Sequence, residues 1–215
     1  MGQVYDAIDT NTVIQDFEIR NFVETGTGIG DTVSSILSLG IDNLNVYSIE
    51  VFDELYESNV KKFTGHSNLH LRHGYTHAEL PIILNEIEGP TLFFLDAHFP
   101  GADFGYTSYF DEKDKSINTP LESELRCIAR LRDVSRDFFV IDDLRCYEDC
   151  PPPVQNWPER VKLGLGGIGF VYELFAETHY VYKVYLHQGF IVLAPKSSFS
   201  EGDADVLISQ PFELC

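Results

Sequence analysis

The chain reads as an α/β protein built on a doubly wound, mostly parallel sheet. Three observations predict this. Five short apolar runs alternate with helical patterns between residues 21 and 141. Four of those runs end in an acid, at Glu24, Glu50, Asp96 and Asp142. A glycine-rich turn, Phe22-Val-Glu-Thr-Gly-Thr-Gly-Ile-Gly-Asp31, joins the first run to a helical pattern.

Residues 4–18 mix apolar and acidic side chains and predict a helix packed beside the first strand, which spans Asn21 to Glu24. The next helix covers residues 31–39, with Gly40 as its C′ residue. Residues 45–50 form the second strand, 52–63 a helix, and 69–72 the third strand, closed by Gly74. The following helix has two candidate starts: Thr76, through a capping box with Glu79, or Pro81 as first helical residue. Thr91 to Leu95 has the continuous apolar character of a central parallel strand. A long polar and aromatic loop covers residues 97–118, a length at which loops are usually functional or disordered. Thr119-Pro-Leu-Glu122 starts the next helix, and Phe138 to Ile141 is the fifth strand. Beyond residue 150 come Pro151-Pro-Pro153 and Trp157-Pro158, then residues 170–177, which fit helix or strand. A hairpin follows over residues 180–186 and 189–194, turning at His187-Gln188.

Composition narrows the function. At 215 residues and 44% hydrophobic content, the chain suits one globular domain. Within it, residues 1–20 form the N-terminal helix, 21–150 the cofactor-binding core, and 151–215 the C-terminal hairpin and tail. Lys+Arg total 15 against 34 Asp+Glu, a net charge of −19. That field opposes tracking a phosphate backbone and attracts divalent cations, so nucleic acid is not an expected partner. No apolar run reaches the roughly 18–20 residues of a membrane span. Neither a secretory leader nor a myristoylation pattern is visible at the N-terminus. Cys127, Cys146, Cys150 and Cys215 are expected as thiols in a reducing compartment, and the protein is expected in the cytoplasm. Met1 is the only methionine, in keeping with a domain from a longer protein.

The glycine spacing separates two ligand classes. A dinucleotide turn wants G-x-G-x-x-G. Here Gly26, Gly28 and Gly30 alternate, and Glu24 precedes the first by two residues. That carboxylate would repel a pyrophosphate and suits a ligand with a cationic amino group. Glu50 suits a bidentate grip on the two hydroxyls of a ribose. This pattern of an acid followed by alternate glycines resembles the first motif of the class I S-adenosylmethionine-dependent methyltransferases. By element order the resemblance covers roughly residues 20–195.

The resemblance implies a Rossmann-like, seven-stranded sheet with a C-terminal antiparallel hairpin, and S-adenosylmethionine as cofactor. It implies a cofactor site of Glu24, Thr25, Gly26, Gly28, Gly30, Asp31, Thr32, Glu50, Val51, Gly74, Tyr75, Thr76 and Asp96. Many members carry an Asp after the third-strand glycine. This chain has Tyr75, which can stack on the adenine instead.

For an alcohol acceptor, methyl transfer needs a base, a metal that stabilises the alkoxide, or both. Asp96, His98 and Asp142 are the catalytic candidates, with His98 as the base. Asp96, Asp142 and Asp143 offer oxygen ligands to Mg²⁺ or another divalent cation. The Asp142-Asp143 pair is similar to that of metal-dependent sugar O-methyltransferases, and Leu95-Asp-Ala-His98 with Thr119-Pro-Leu-Glu122 looks like methyltransferase-like proteins of glycan biosynthesis. The expected activity is therefore O-methylation of a sugar or glycan hydroxyl. A small-molecule methyltransferase of phenol or catechol type, a non-catalytic nucleoside-binding scaffold and a nicotinamide dehydrogenase are the alternatives.

Other features read more plainly. His66, His70, His73 and His77 straddle a strand and do not converge. Gly164 to Gly169 lacks the Lys-Ser/Thr ending of a phosphate loop. Phe99, Phe104, Tyr106, Tyr109 and Phe110 either cover a site and stack on sugar faces or pack the loop onto the domain.

Overall fold

A computed structural model describes residues 2–208 and 212–214. Its strands hydrogen-bond in the order β3-β2-β1-β4-β5-β7-β6-β8, with β1 Asn21–Thr25, β2 Asn45–Glu50, β3 Leu69–His73, β4 Thr91–Leu95, β5 Phe138–Ile141, β6 His179–Val184, β7 Phe190–Pro195 and β8 Phe212–Leu214. The sheet is mostly parallel with antiparallel C-terminal strands, the predicted fold class. Among the described residues it has eight strands where seven were expected. The eighth is a three-residue segment antiparallel to β6, too short to show a periodic pattern.

The chain divides into two compact units, each discontinuous in sequence. One comprises Arg20–Gly89 and Leu95–Asp133 and holds β1, β2 and β3. In it β1 pairs with β2 from Asn21↔Asn45 to Thr25↔Ile49, and β2 pairs with β3. Its helices are α3 Asp31–Ser38, α4 Asp53–Lys62, α5 Thr76–Glu86, α6 Lys115–Asn118 and α7 Leu121–Leu131. Gly40 stands just past α3 at φ +61, as a C′ glycine should. The two candidate starts of α5 resolve in favour of Thr76; its N-cap is Tyr75, without a side-chain cap, and Pro81 lies inside the helix. The long loop carries α6, capped by the Asp114 carboxylate on the Ser116 N–H.

The other unit comprises Met1–Ile19, Pro90–Phe94 and Val134–Cys215. The expected single N-terminal helix is two, α1 Val4–Ala7 and α2 Thr10–Asp16. Asp9 breaks it by accepting the Thr12 N–H as an N-cap, while Ile8 turns extended and bridges to Ile208. Residues 170–177 resolve as helix, within α9 Gly169–Phe175; α8 spans Glu159–Lys162 and α10 Glu201–Leu207. Phe93 stacks on Phe139 at 5.0 Å, and Phe139 packs on Phe175 and His179. Burial pushes the His179 pKa down to about 4, so the ring is neutral, bonded to the Asp137 carbonyl at 2.9 Å and to Thr178. Cys127, Cys146 and Cys150 form no disulfide among the described residues, and Cys215 lies outside them. No helix among the described residues is long and apolar enough to cross a membrane.

Candidate functional site

The glycine turn between β1 and α3 is a fully tied loop. Gly26 and Thr27 both donate to the Ile49 carbonyl at 3.0 Å, and Gly30 N–H reaches the Thr27 carbonyl at 2.9 Å. Asn59 of α4 donates to the Gly28 carbonyl at 2.7 Å, and Lys62 Nζ reaches the Ile29 and Gly30 carbonyls at 2.9 and 3.2 Å. Gly26, Gly28 and Gly30 have φ of +86, +55 and +78, which L side chains rarely adopt.

At Gly30 the space is also taken: an added Cβ would lie 2.7 Å from a Phe63 ring carbon and clash with Asn59 Oδ1. Gly30→Ala is therefore expected to lower unfolding stability by at least about 2 kcal/mol, from left-handed strain plus overpacking. Gly40→Ala, with no atom within 4 Å of its Cβ, should cost about 1 kcal/mol. Urea unfolding midpoints of the two variants check this; equal losses would contradict it.

Two carboxyls support the loop. Glu24 is 1% exposed and receives hydrogen bonds from Ser48 and Thr32; Ser48 in turn is 2.6 Å from the Thr27 hydroxyl. Burial pushes its pKa up to about 8, so at neutral pH it is mostly protonated. Glu24, expected as a charged group for a cationic ligand, is buried and bonded to Ser48 and Thr32 under the loop. Glu50 ends β2 with its Oε2 accepting the Gly28 N–H at 2.8 Å and its Oε1 accepting the Phe52 N–H at 2.8 Å. Val51 N–H also bonds it, and burial raises its pKa despite these donors.

The other predicted residues of this unit fall nearby or apart. Thr25 ends β1; its carbonyl accepts the Asp96 N–H at 3.1 Å and its hydroxyl lies 3.5 Å from Glu124 Oε2. Asp31 is exposed and 3.8 Å from Lys62. Thr76 bonds Glu124 rather than capping α5. Tyr75 is exposed and stacks on His77. Asp96 and His98 follow β4, with the His98 ring between two carboxylates, 3.6 Å from Asp96 and 3.7 Å from Asp103. His66, His70, His73 and His77 each sit on their own aromatic partner, Phe63, Tyr47, Tyr56 and Tyr75, and do not converge.

In the other unit, Asp142 is buried, and a Cβ on Gly2 would lie 2.9 Å from its Oδ1, so the N-terminal segment covers it. Asp143 adopts a left-handed conformation (φ +58) and bonds Arg145 Nε at 3.0 Å.

Sequence reasoning missed several of these partners. Ser48 and Asn59 are buried polar residues whose spacing is that of any strand or helix. Glu124 is 2% exposed on α7, with its pKa raised to about 7 by burial. Nothing in its local sequence separates it from the exposed Glu122.

Comparison with solved structures bears on this arrangement. The Podospora anserina methyltransferase PaMTH1, bound to S-adenosylhomocysteine (SAH), superposes with a TM-score of 0.57 at 16% identity, over 86% of this chain and 76% of that one. The chain has the methyltransferase fold. An O-methyltransferase from Bacillus cereus in complex with SAH matches at TM-score 0.54 and 17% identity, over 86% and 78% of the two chains. The Streptomyces achromogenes O-methyltransferase TomG, in complex with S-adenosylmethionine, matches at 0.53 and 12%, over 86% and 77%. No protein-family model matches the chain, and no curated protein sequence does. The tied glycine loop follows the carboxyl end of β1, and Glu50 stands at the carboxyl end of β2.

Proposed function

We propose that the chain is an S-adenosylmethionine-dependent O-methyltransferase. One observation carries the reading. The alternate-glycine loop is clamped onto Glu50, a nearly buried carboxylate ringed by backbone N–H groups. This loop lies in a fold shared with proteins solved bound to SAH or S-adenosylmethionine. Gly26, Gly28 and Gly30 let a ligand approach the backbone, and Glu50 accepts the ribose hydroxyls with its remaining lone pairs. Val51, Asp31, Thr32, Gly74, Tyr75 and Thr76 complete the cofactor side, with Glu24 shaping the loop from below.

In the reaction the acceptor oxygen forms a bond to the methyl carbon as the carbon–sulfur bond breaks. The bound donor would supply the methyl group and depart as SAH, and the hydroxyl proton would pass to a base. His98 is the proposed base; Asp96 orients the ring and stabilises its cation. A divalent cation is the narrower proposal. Asp96, His98 and Asp143 carry donor atoms suited to one, and such an ion would stabilise the acceptor alkoxide.

The acceptor is a hydroxyl compound. A sugar or glycan hydroxyl follows from the resemblances of Asp142-Asp143 and Leu95-Asp-Ala-His98. A small-molecule acceptor of phenol or catechol type is the second reading, favoured by TomG, which is involved in tomaymycin synthesis. Methyl-labelled S-adenosylmethionine, offered with sugar and catechol panels and with Mg²⁺ or EDTA, tests both. Label on a sugar supports the first reading, and label on a catechol alone the second. Binding without transfer to any acceptor would replace the enzyme with a nucleoside-binding scaffold.

A further inference from the structure

The long loop after β4 folds back onto the residues that hold Glu50. A Cβ on Gly28 would lie 2.9 Å from Phe104 Cζ, so that ring rests directly on the glycine turn. Tyr106 stacks on Phe52, with ring centroids 4.9 Å apart and planes 22° from parallel. A Cβ on Gly101 would lie 2.5 Å from Phe52 Cε2, so the loop backbone also presses on this ring. Gly28 and Phe52 are two of the residues whose N–H groups grip the Glu50 carboxylate. The two rings therefore bracket the one acid placed to receive a ribose, and Glu50 is only 6% exposed. A planar base between Phe52 and Tyr106 needs ring planes about 7 Å apart, two van der Waals contacts of ~3.5 Å. The observed stack leaves no room for one.

The same loop has the parts of a moving cover. Gly101 and Gly105, at φ +74 and +75, flank Phe104 and supply hinges. Tyr106 is 49% exposed, so its contact with Phe52 buries one face only. The cover is held in shape by its own bonds, Tyr106 N–H to the Gly101 carbonyl at 3.0 Å and Tyr109 hydroxyl to Asp103 at 2.6 Å. Phe99, at φ +43, begins it in a conformation costly for a bulky side chain.

We propose that Gly101–Tyr106 is a self-occluding lid: Phe104 and Tyr106 occupy the place of a nucleoside's ribose and base, and ligand enters only when they leave Gly28 and Phe52. This rests on the methyl-donor reading of the glycine loop. The closed lid reduces apparent affinity by the fraction of molecules that are open.

The test compares the native protein, Phe104→Ala/Tyr106→Ala, and the shape-preserving Phe104→Leu/Tyr106→Phe. Hydrogen exchange of a peptide covering residues 24–33 is read first. The alanine pair should exchange several-fold faster there, with the rest of the chain unchanged, and the conservative pair should match the native protein. Association with SAH by stopped flow is read second, and should quicken about tenfold in the alanine pair, as loss of aromatic contacts allows. Unchanged exchange over 24–33, or association that slows, overturns the lid. Faster exchange with no SAH binding to any of the three keeps the lid and removes the methyl-donor reading instead.

Discussion

Glu50→Ala is expected to weaken SAH binding by about 100-fold or more, because each hydrogen bond to a charged group contributes about 1.5–3 kcal/mol and a ribose offers two. The loss has a second source in the protein. Both carboxylate oxygens are committed to N–H groups, Gly28 on one side and Phe52 on the other, each at 2.8 Å. Alanine leaves these donors without their acceptor and loosens the glycine turn that the carboxylate clamps. Glu50→Gln separates the two effects. Its amide keeps one acceptor for the backbone but places an NH₂ against the other N–H, so partial recovery of stability with little recovery of binding is expected. Calorimetry with SAH and thermal unfolding of the three proteins measure both. Native-like affinity in Glu50→Ala would remove Glu50 from the site.

The second large effect is on stability against pH. Glu24, with its pKa raised to about 8, and Glu124, raised to about 7, hold protons in the folded protein that they release when unfolded near 4.5. Stability therefore falls as pH rises through this window, since the native state binds more protons. Buried neutral His179 acts in the opposite sense, but only below its unfolded value of 6.5. Between pH 6.5 and 8 the carboxyls dominate, and Glu24 alone should remove about 2 kcal/mol, at ~1.4 kcal/mol per pH unit. Glu24→Gln keeps an acceptor for Ser48 and carries no titrating proton, so its stability should be flatter over that range. Urea midpoints at several pH values check this; parallel profiles for the two proteins would show that Glu24 is ionised in the fold.

How far the sequence could be read follows from the kind of signal each feature leaves. The parallel strands and the glycine turn are local patterns, and β1 through β5 lie where alternating apolar runs placed them. Gly40 ends its helix because a left-handed residue after a helix is a one-residue signal. Phe212–Leu214 left no such trace, since three residues show no period. Asp9 reads equally well as a helix residue or a cap, and only the bridge from Ile8 to Ile208 decides it. The glycine turn and the acid that ends β2 were legible because each is a local pattern. Glu24 was legible as an acid but not as a buried, protonated one; that depends on Ser48 and Thr32 closing over it. Phe104 and Tyr106 were visible as an aromatic run. Their seats on Gly28 and Phe52 depend on how the chain folds after β4, which no spacing encodes.

The proposed function requires that the loop from Glu24 to Asp31, with Glu50, hold a methyl donor rather than a dinucleotide. Calorimetric titration of the folded native protein with SAH, beside an identical titration with NAD⁺, tests it most directly. Saturable SAH binding at one site and no heat from NAD⁺ are expected. Silence toward SAH with no thermal shift, or tighter binding of NAD⁺, would contradict it.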